Sequence, residues 1–386
     1  MMMRHSRHVA SWGGWLAIVL LALAVGRATA GETLAFKGYY KNLYVHSRTA
    51  FPLDETYTLD LNRLRLEARG RSADGLGFEV QYDHEALLGS YVDTAQFVQL
   101  KAMPPQTYWD LEDDYIDRGS VHVRHRLYRG FVTLDAPFAD VRVGRQRIAW
   151  GSGRFWNPTD LFNPYNPTQL ERDERIGVDA VLVEKSLDAL SRLSLAYAPQ
   201  RDAASSHALR YRTNLANTDL GVMAGEFRGD RVVGVEFAGR LGEASLYGEA
   251  AYTHPNTGPA FTRAVFGSEY AFVNTLTLGI ELYWNGAGTA DEARYDFTRL
   301  YTGAIQNVAR RYVGGHLKYE ITPLLRSDNY VIVNLDDGSR FVAPGLVYSL
   351  ATNWDVSVGM QSFGGAGASE YGRFHDLYYV YLQWFF

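Results

Sequence analysis

The sequence predicts an all-β fold, a transmembrane antiparallel β-barrel of about 18 strands with long extracellular loops and short periplasmic turns. Three observations predict it. Apolar stretches are runs of about ten residues that alternate with polar ones at period 2, connections sort by length in strict parity, and the last strand presents one apolar face up to a terminal aromatic.

The alternation is clearest where Leu276, Leu278, Ile280 and Leu282 interleave with Thr277, Gly279, Glu281 and Tyr283, and where Val233, Val235 and Phe237 interleave with Gly234, Glu236 and Ala238. Phe78, Val80 and Tyr82 alternate likewise with Glu79, Gln81 and Asp83. Charges on the polar faces would be rejected by the core of a sandwich but are at home against water. The expected strands are 32–46, 57–70, 75–84, 120–134, 139–150, 176–185, 190–198, 206–214 and 218–227 in the first half. Those of the second half are 230–239, 243–253, 262–272, 275–285, 311–321, 325–335, 339–350, 353–363 and 374–386. Every even-numbered connection is short, whereas the odd ones include 47–56, 85–119, 151–175 and 286–310. In the final strand Tyr378, Val380, Leu382, Trp384 and Phe386 share a face. This ending resembles the terminal signature of outer-membrane barrels, and that resemblance makes Phe386 an assembly signal for the periplasmic barrel-assembly machinery.

Residues 1–30 read as a cleaved signal peptide: Arg4 and Arg7, then an apolar run of about 11 residues from Trp15 to Val25, then Ala28-Thr29-Ala30. That run is far short of the ~20 residues that a membrane-spanning helix needs. Residues 31–386 then form a single barrel domain. Removing the leader deletes Arg4, Arg7 and Arg27 and no acid, so the formal net charge goes from -5 to -8 and no basic excess remains to hold nucleic acid. With no cysteine in the chain, disulfides, thiolate metal sites and cysteine nucleophiles are excluded.

No catalytic or metal motif emerges; His122 and His125 point to opposite faces of a strand, and no cofactor is expected. Chemistry therefore resides in lumen charge. Alternation places His122, Arg124, Arg126 and Tyr128 inside, with Val121, Val123, Leu127 and Phe131 outside. A parity change from Leu59 and Leu61 to Leu64 and Leu66 suggests a bulge near Asn62 that directs Arg63, Arg65 and Glu67 inward. Gly144 interrupts the alternation of Val141 and Val143, so that Arg145 and Arg147 can turn in. Lys37, Lys41, Arg210 and Arg212 extend the basic set, whereas Glu236, Glu249, Glu269 and Glu281 form an acidic one. Such walls either line a channel across a transverse field or pair and stiffen the barrel. The acidic run Asp110, Glu112, Asp113, Asp114 and Asp117 falls in the long second loop and reads as a solvated segment, with cation bridging to lipopolysaccharide or docking of a lysine-rich partner as alternatives.

Residues 144–167, GRQRIAWGSGRFWNPTDLFNPYNP, pack arginines, tryptophans and Asn-Pro turns into one connection. The stretch resembles the Gly-Arg-Gln…Trp-Gly…Asn-Pro motif of a superfamily of porin-like outer-membrane proteins, which includes alginate-export-like barrels and the barrel components of porin-cytochrome conduits. That resemblance implies a loop folded into the lumen with Arg145, Gln146, Trp150, Gly151, Asn157, Pro158 and Asp160 at its base, and Trp150, Arg154, Trp156, Asn157 and Asp160 are the expected constriction residues. The expected function is a non-enzymatic channel for small polar, anionic solutes; the alternative is a sheath that holds a partner multihaem cytochrome across the outer membrane.

Overall fold

A computed structural model describes residues 33–103, 107–164, 166–172, 174–201, 203–301 and 305–386; the expected leader 1–30 lies outside them. Among the described residues, one closed antiparallel sheet holds nineteen strands. They are β1 (Thr33–Arg48), β2 (Thr56–Arg71), β3 (Leu76–Leu88), β4 (Glu112–Arg118), β5 (Val121–Ala136), β6 (Ala139–Gln146), β7 (Val178–Ser186), β8 (Arg192–Ala198), β9 (Ser206–Leu215) and β10 (Thr218–Phe227). Then follow β11 (Asp230–Leu241), β12 (Ala244–His254), β13 (Phe261–Ala271), β14 (Thr277–Asn285), β15 (Arg311–Thr322), β16 (Leu325–Asn334), β17 (Arg340–Ala351), β18 (Trp354–Gly364) and β19 (Leu377–Phe385). Eighteen of them form the up-and-down barrel, and β19 closes it against β1 from Tyr39↔Phe385 to His46↔Tyr378. With its edges paired, the sheet satisfies its backbone groups without water, which is the condition for crossing lipid.

The outer surface carries the side chains that a soluble protein would bury. Val233, Val235, Ile280, Leu282, Tyr348, Val358 and Val380 are all exposed on the alternating outward positions. Trp354 and Trp384 stack at 5.5 Å beside Phe386, forming part of an aromatic girdle at the periplasmic end. The Phe386 N–H donates to the Gly38 carbonyl at 3.0 Å, and a Cβ on Gly38 would collide with the Phe386 ring, so the last residue packs over the closing seam.

Four local expectations change. The strand expected over 139–150 stops at Gln146, where the chain leaves the wall. Strand β4 occupies part of the space beside β5 above it, pairing from Glu112↔Arg126 to Arg118↔Val121, so the acidic run from Glu112 on is solvent-exposed as expected but forms a strand laid against a basic one in place of an irregular loop. No bulge occurs at Asn62, because β1 and β2 stay in register from Thr33↔Arg71 to Arg48↔Thr56. Leu61 faces inward with Arg63 and packs with Leu43, Val45, Tyr57, Leu87, Val92 and Phe97 beneath the second loop and its helix α1 (Ala95–Ala102). The apolar residue followed an inner core, not lipid. A bulge does occur in β5, where Gln81↔Arg129 and Tyr82↔Leu127 leave Tyr128 as the extra residue. Past it the parity inverts, so Phe131 shares the inner face with Arg129 and lies 4.9 Å beneath the Arg142 guanidinium.

Candidate pore and constriction

The third long loop folds into the lumen because its backbone has partners there. After Gln146, whose amide donates to the carbonyls of Ala180 and Arg142, the Ile148 N–H reaches the Asn163 side chain at 2.8 Å and draws the outgoing and returning segments together. Trp150 meets Phe162 edge-on at 5.2 Å within a buried cluster that includes Leu182, Ala196, Met223 and Val232 on the wall. Gly151 sits at φ +99°, where a Cβ would fall 2.7 Å from the Glu249 carboxylate; only glycine allows both that backbone and that approach.

Two lumen-facing carboxylates then hold the loop. Glu249 accepts from the N–H groups of Ser152 (2.5 Å), Gly153 (2.7 Å) and Thr159 (3.1 Å) and from the Thr159 hydroxyl (2.8 Å). Glu281 accepts from the N–H groups of Arg154, Phe155 (2.9 Å) and Trp156 (3.3 Å) and from the Tyr247 hydroxyl (3.0 Å). Charge-assisted bonds of this kind are the strong ones. Trp156 stacks on Tyr283 at 5.0 Å and 8°, and its indole N–H donates to Asn307, tying this loop to the loop before β15. Asn157 precedes Pro158, and its carbonyl accepts the Asp160 N–H at 3.1 Å, which closes the turn. Arg154 reaches back to Glu269 at 3.5 Å with its side chain 56% exposed.

The returning segment is pinned to the opposite wall. Asp160 pairs with Arg175 at 3.0 Å; burial outweighs that partner and pushes its carboxyl up to about 7. Glu171 meets Lys41 (3.0 Å) and Arg63 (2.9 Å), and Glu174 meets Arg65 (2.8 Å) while accepting from Tyr39 (2.7 Å). The loop thus runs from the acids of β12 and β14 to the cations of β1 and β2.

Most of the expected basic set is paired. Arg63 and Arg124 bind Glu85 at 2.5 and 2.8 Å, Arg65 binds Asp83 at 2.6 Å, and Arg126 binds Glu85 at 3.0 Å. Arg145 donates to Asp179 at 3.0 Å and to the carbonyls of Leu127 and Trp109, sealing the place where β6 ends. Arg210 and Arg212 share Glu236. Lys37 is exposed near the periplasmic end of β1. The partners Asp83, Glu85, Glu171, Glu174 and Asp179 were not singled out by sequence reasoning. The sequence did hold part of the signal, since Asp83 and Glu85 continue the polar face of β3, but only register puts them opposite Arg65 and Arg63.

What remains is cationic. Arg129, Arg142 and Arg147 have no carboxylate within ion-pairing distance among the described residues. Each keeps a buried, unbonded Nε. Burial, with Arg175 and Arg129 adding to it and Asp160 opposing, pushes the Arg147 guanidinium below its usual value. On the extracellular side of the loop lies a vestibule of ≈ 1110 Å³ whose lining arginines outnumber carboxylates eight to five. Arg175, Arg228, Arg263 and Arg294 are among them.

Neither a family model nor a curated protein matches the sequence. Solved structures do resemble the fold. OccK5 (OpdH) of Pseudomonas aeruginosa aligns with a TM-score of 0.60 over 92% of this chain and 97% of that one, at 10% identity. OccAB1 of Acinetobacter baumannii gives 0.58 over 92% and 96%, and OpdK of Pseudomonas aeruginosa with vanillate gives 0.57 over 92% and 98%, each at 10% identity. The shared fold is that of outer-membrane porins, and with its apolar belt it makes this chain a multi-pass outer-membrane protein.

Proposed function

We propose that the chain is a passive channel for small anionic solutes. The observation that carries this reading is which charges the inward loop consumes. Glu249 and Glu281 are covered by backbone N–H donors of the loop, and Asp83, Glu85, Glu171 and Glu174 by arginine or lysine. Arg129, Arg142 and Arg147, without an ion-pair partner among the described residues, and Arg228, Arg263 and Arg294 of the vestibule set the potential that a permeating ion meets. A structural neighbour solved with vanillate, itself a carboxylate, is consistent with such a lumen. The sheath reading stands second, because the lumen is crossed by the chain's own loop, where a partner cytochrome would have to pass.

The test is reversal potential in a planar bilayer under a salt gradient. Wild type should favour anions, and Arg129→Gln with Arg142→Gln and Arg147→Gln should move the reversal potential toward cations. The shift should be largest at low salt, since the Debye length falls to ~10 Å at 0.1 M. A reversal potential that ignores all three substitutions would overturn the anionic reading.

A further inference from the structure

A row of inward residues lies directly beneath the tip of the constriction loop. Glu281, which holds the tip, stands opposite Gly267 on β13 and Gly314 on β15. The next inward row toward the periplasm is Glu269 on β13, Gly279 on β14 and His316 on β15. Neighbouring strands lie about 4.8 Å apart, so the backbones at Glu269 and His316 are separated by about 10 Å. Their side chains nonetheless meet, with His316 Nε2 3.0 Å from Glu269 Oε2. Gly279 makes this possible, because a Cβ there would collide with the imidazole that crosses it. Phe155 of the loop packs on the same imidazole, ring centroids 6.2 Å apart, and holds it over that glycine.

The same carboxylate oxygen meets a second cation, since Arg154 Nε lies 3.5 Å from Glu269 Oε2. Arg154 is exposed and Glu269 half-buried, whereas His316 is buried behind them. A permeating ion therefore meets Arg154 and Glu269 and only feels the imidazole. With a neutral imidazole the three side chains sum to zero charge; with an imidazolium they sum to one positive charge, which raises the local concentration of anions. Around His316, Lys318 follows on the inward face of β15 opposite Asp328 of β16, and Tyr330 of β16 is its register partner. Glu281 lies one row away, with Tyr247 of β12 donating to it. Histidine is the only one of these side chains whose ordinary titration falls between pH 5 and 8.

We propose that Arg154, Glu269 and His316 form a charge filter on the periplasmic side of the loop, in which protonation of His316 draws Glu269 from Arg154 and strengthens the preference for anions. The proposal rests on the channel reading above and adds the residues that set its selectivity and the pH range in which they act.

The test is reversal potential in a planar bilayer under a salt gradient, at pH 8 and at pH 5, on variants shown to be folded by heat-modifiable mobility. Wild type should shift toward anions on acidification. His316→Gln should lose most of that shift. Gly279→Ala, which keeps every charge but displaces the imidazole from Glu269, should lose it too. Glu269→Gln should already be shifted toward anions at pH 8. A conducting wild type whose reversal potential ignores pH, or a His316→Gln protein that keeps the full wild-type shift, would overturn this proposal and leave the channel reading intact. A folded barrel that conducts in no variant would overturn the channel reading and this proposal with it.

Discussion

Glu281→Gln asks directly whether the inward loop is held by the acidic wall. In wild type the Glu281 side chain is 1% exposed and gathers four donors, the N–H groups of Arg154, Phe155 and Trp156 and the Tyr247 hydroxyl. Glutamine keeps the volume but removes the charge, leaves one oxygen that can accept about two of these bonds, and presents an NH2 to the donors that remain. Losing two bonds to a charged acceptor at ~1.5–3 kcal/mol each weakens docking of the tip by about 3–6 kcal/mol. At ~1.4 kcal/mol per tenfold, the docked-to-released ratio falls by roughly 10²–10⁴. Glu249 still holds Ser152, Gly153 and Thr159, so the tip should make excursions while the base stays in place. In a planar bilayer this reads as higher mean conductance with flicker, and Glu243→Gln, beside a periplasmic turn, serves as the control. Conductance and current noise equal to wild type, in a folded Glu281→Gln protein, would refute the anchoring argument.

Two other outcomes follow from the geometry. Glu370, fully buried where Tyr312 and Asn334 donate to it, has its carboxyl pushed by burial from 4.5 to about 7, so folding favours its protonated form. Docking of its loop is then fully stabilised below about pH 4.5 and loses up to about 3 kcal/mol as pH rises through about 7. Hydrogen exchange at Val308 and Ala309, corrected for intrinsic rates, should be faster near pH 8 than near pH 5, and Glu370→Gln should flatten the difference; equal profiles would contradict it. Phe386→Ala should lower the yield of heat-modifiable barrel more than Phe385→Ala, because the Phe386 ring covers Gly38 at the closing seam; equal yields would contradict that.

The barrel was legible because each strand carries its own evidence. Ile280 and Leu282 alternate with Glu281 and Tyr283 whether or not their neighbours are known, and lipid on one side keeps the period strict. Inside, the rule weakens. Leu61 and Phe131 are apolar yet face inward, one because a core forms beneath the second loop and the other because Tyr128 is inserted as a bulge. That the loop after Gln146 enters the lumen was implied only by its resemblance to a porin-like motif, and its anchoring was not legible at all. Glu249 and Glu281 read as a charged wall until the fold brings the N–H groups of Ser152 to Trp156 onto them. Pairing was hidden for the same reason: Arg63 and Glu85 are 22 residues apart in sequence, and Arg63 and Glu171 are 108 apart.

The central claim is that this barrel, crossed by its own loop, is by itself a channel. Purified protein inserted alone into a planar bilayer, with no haem protein present, should give discrete, reproducible conductance steps that carry anions in preference to cations. A folded barrel that passes no current alone and conducts only after a bound haem protein is stripped from it would contradict the account.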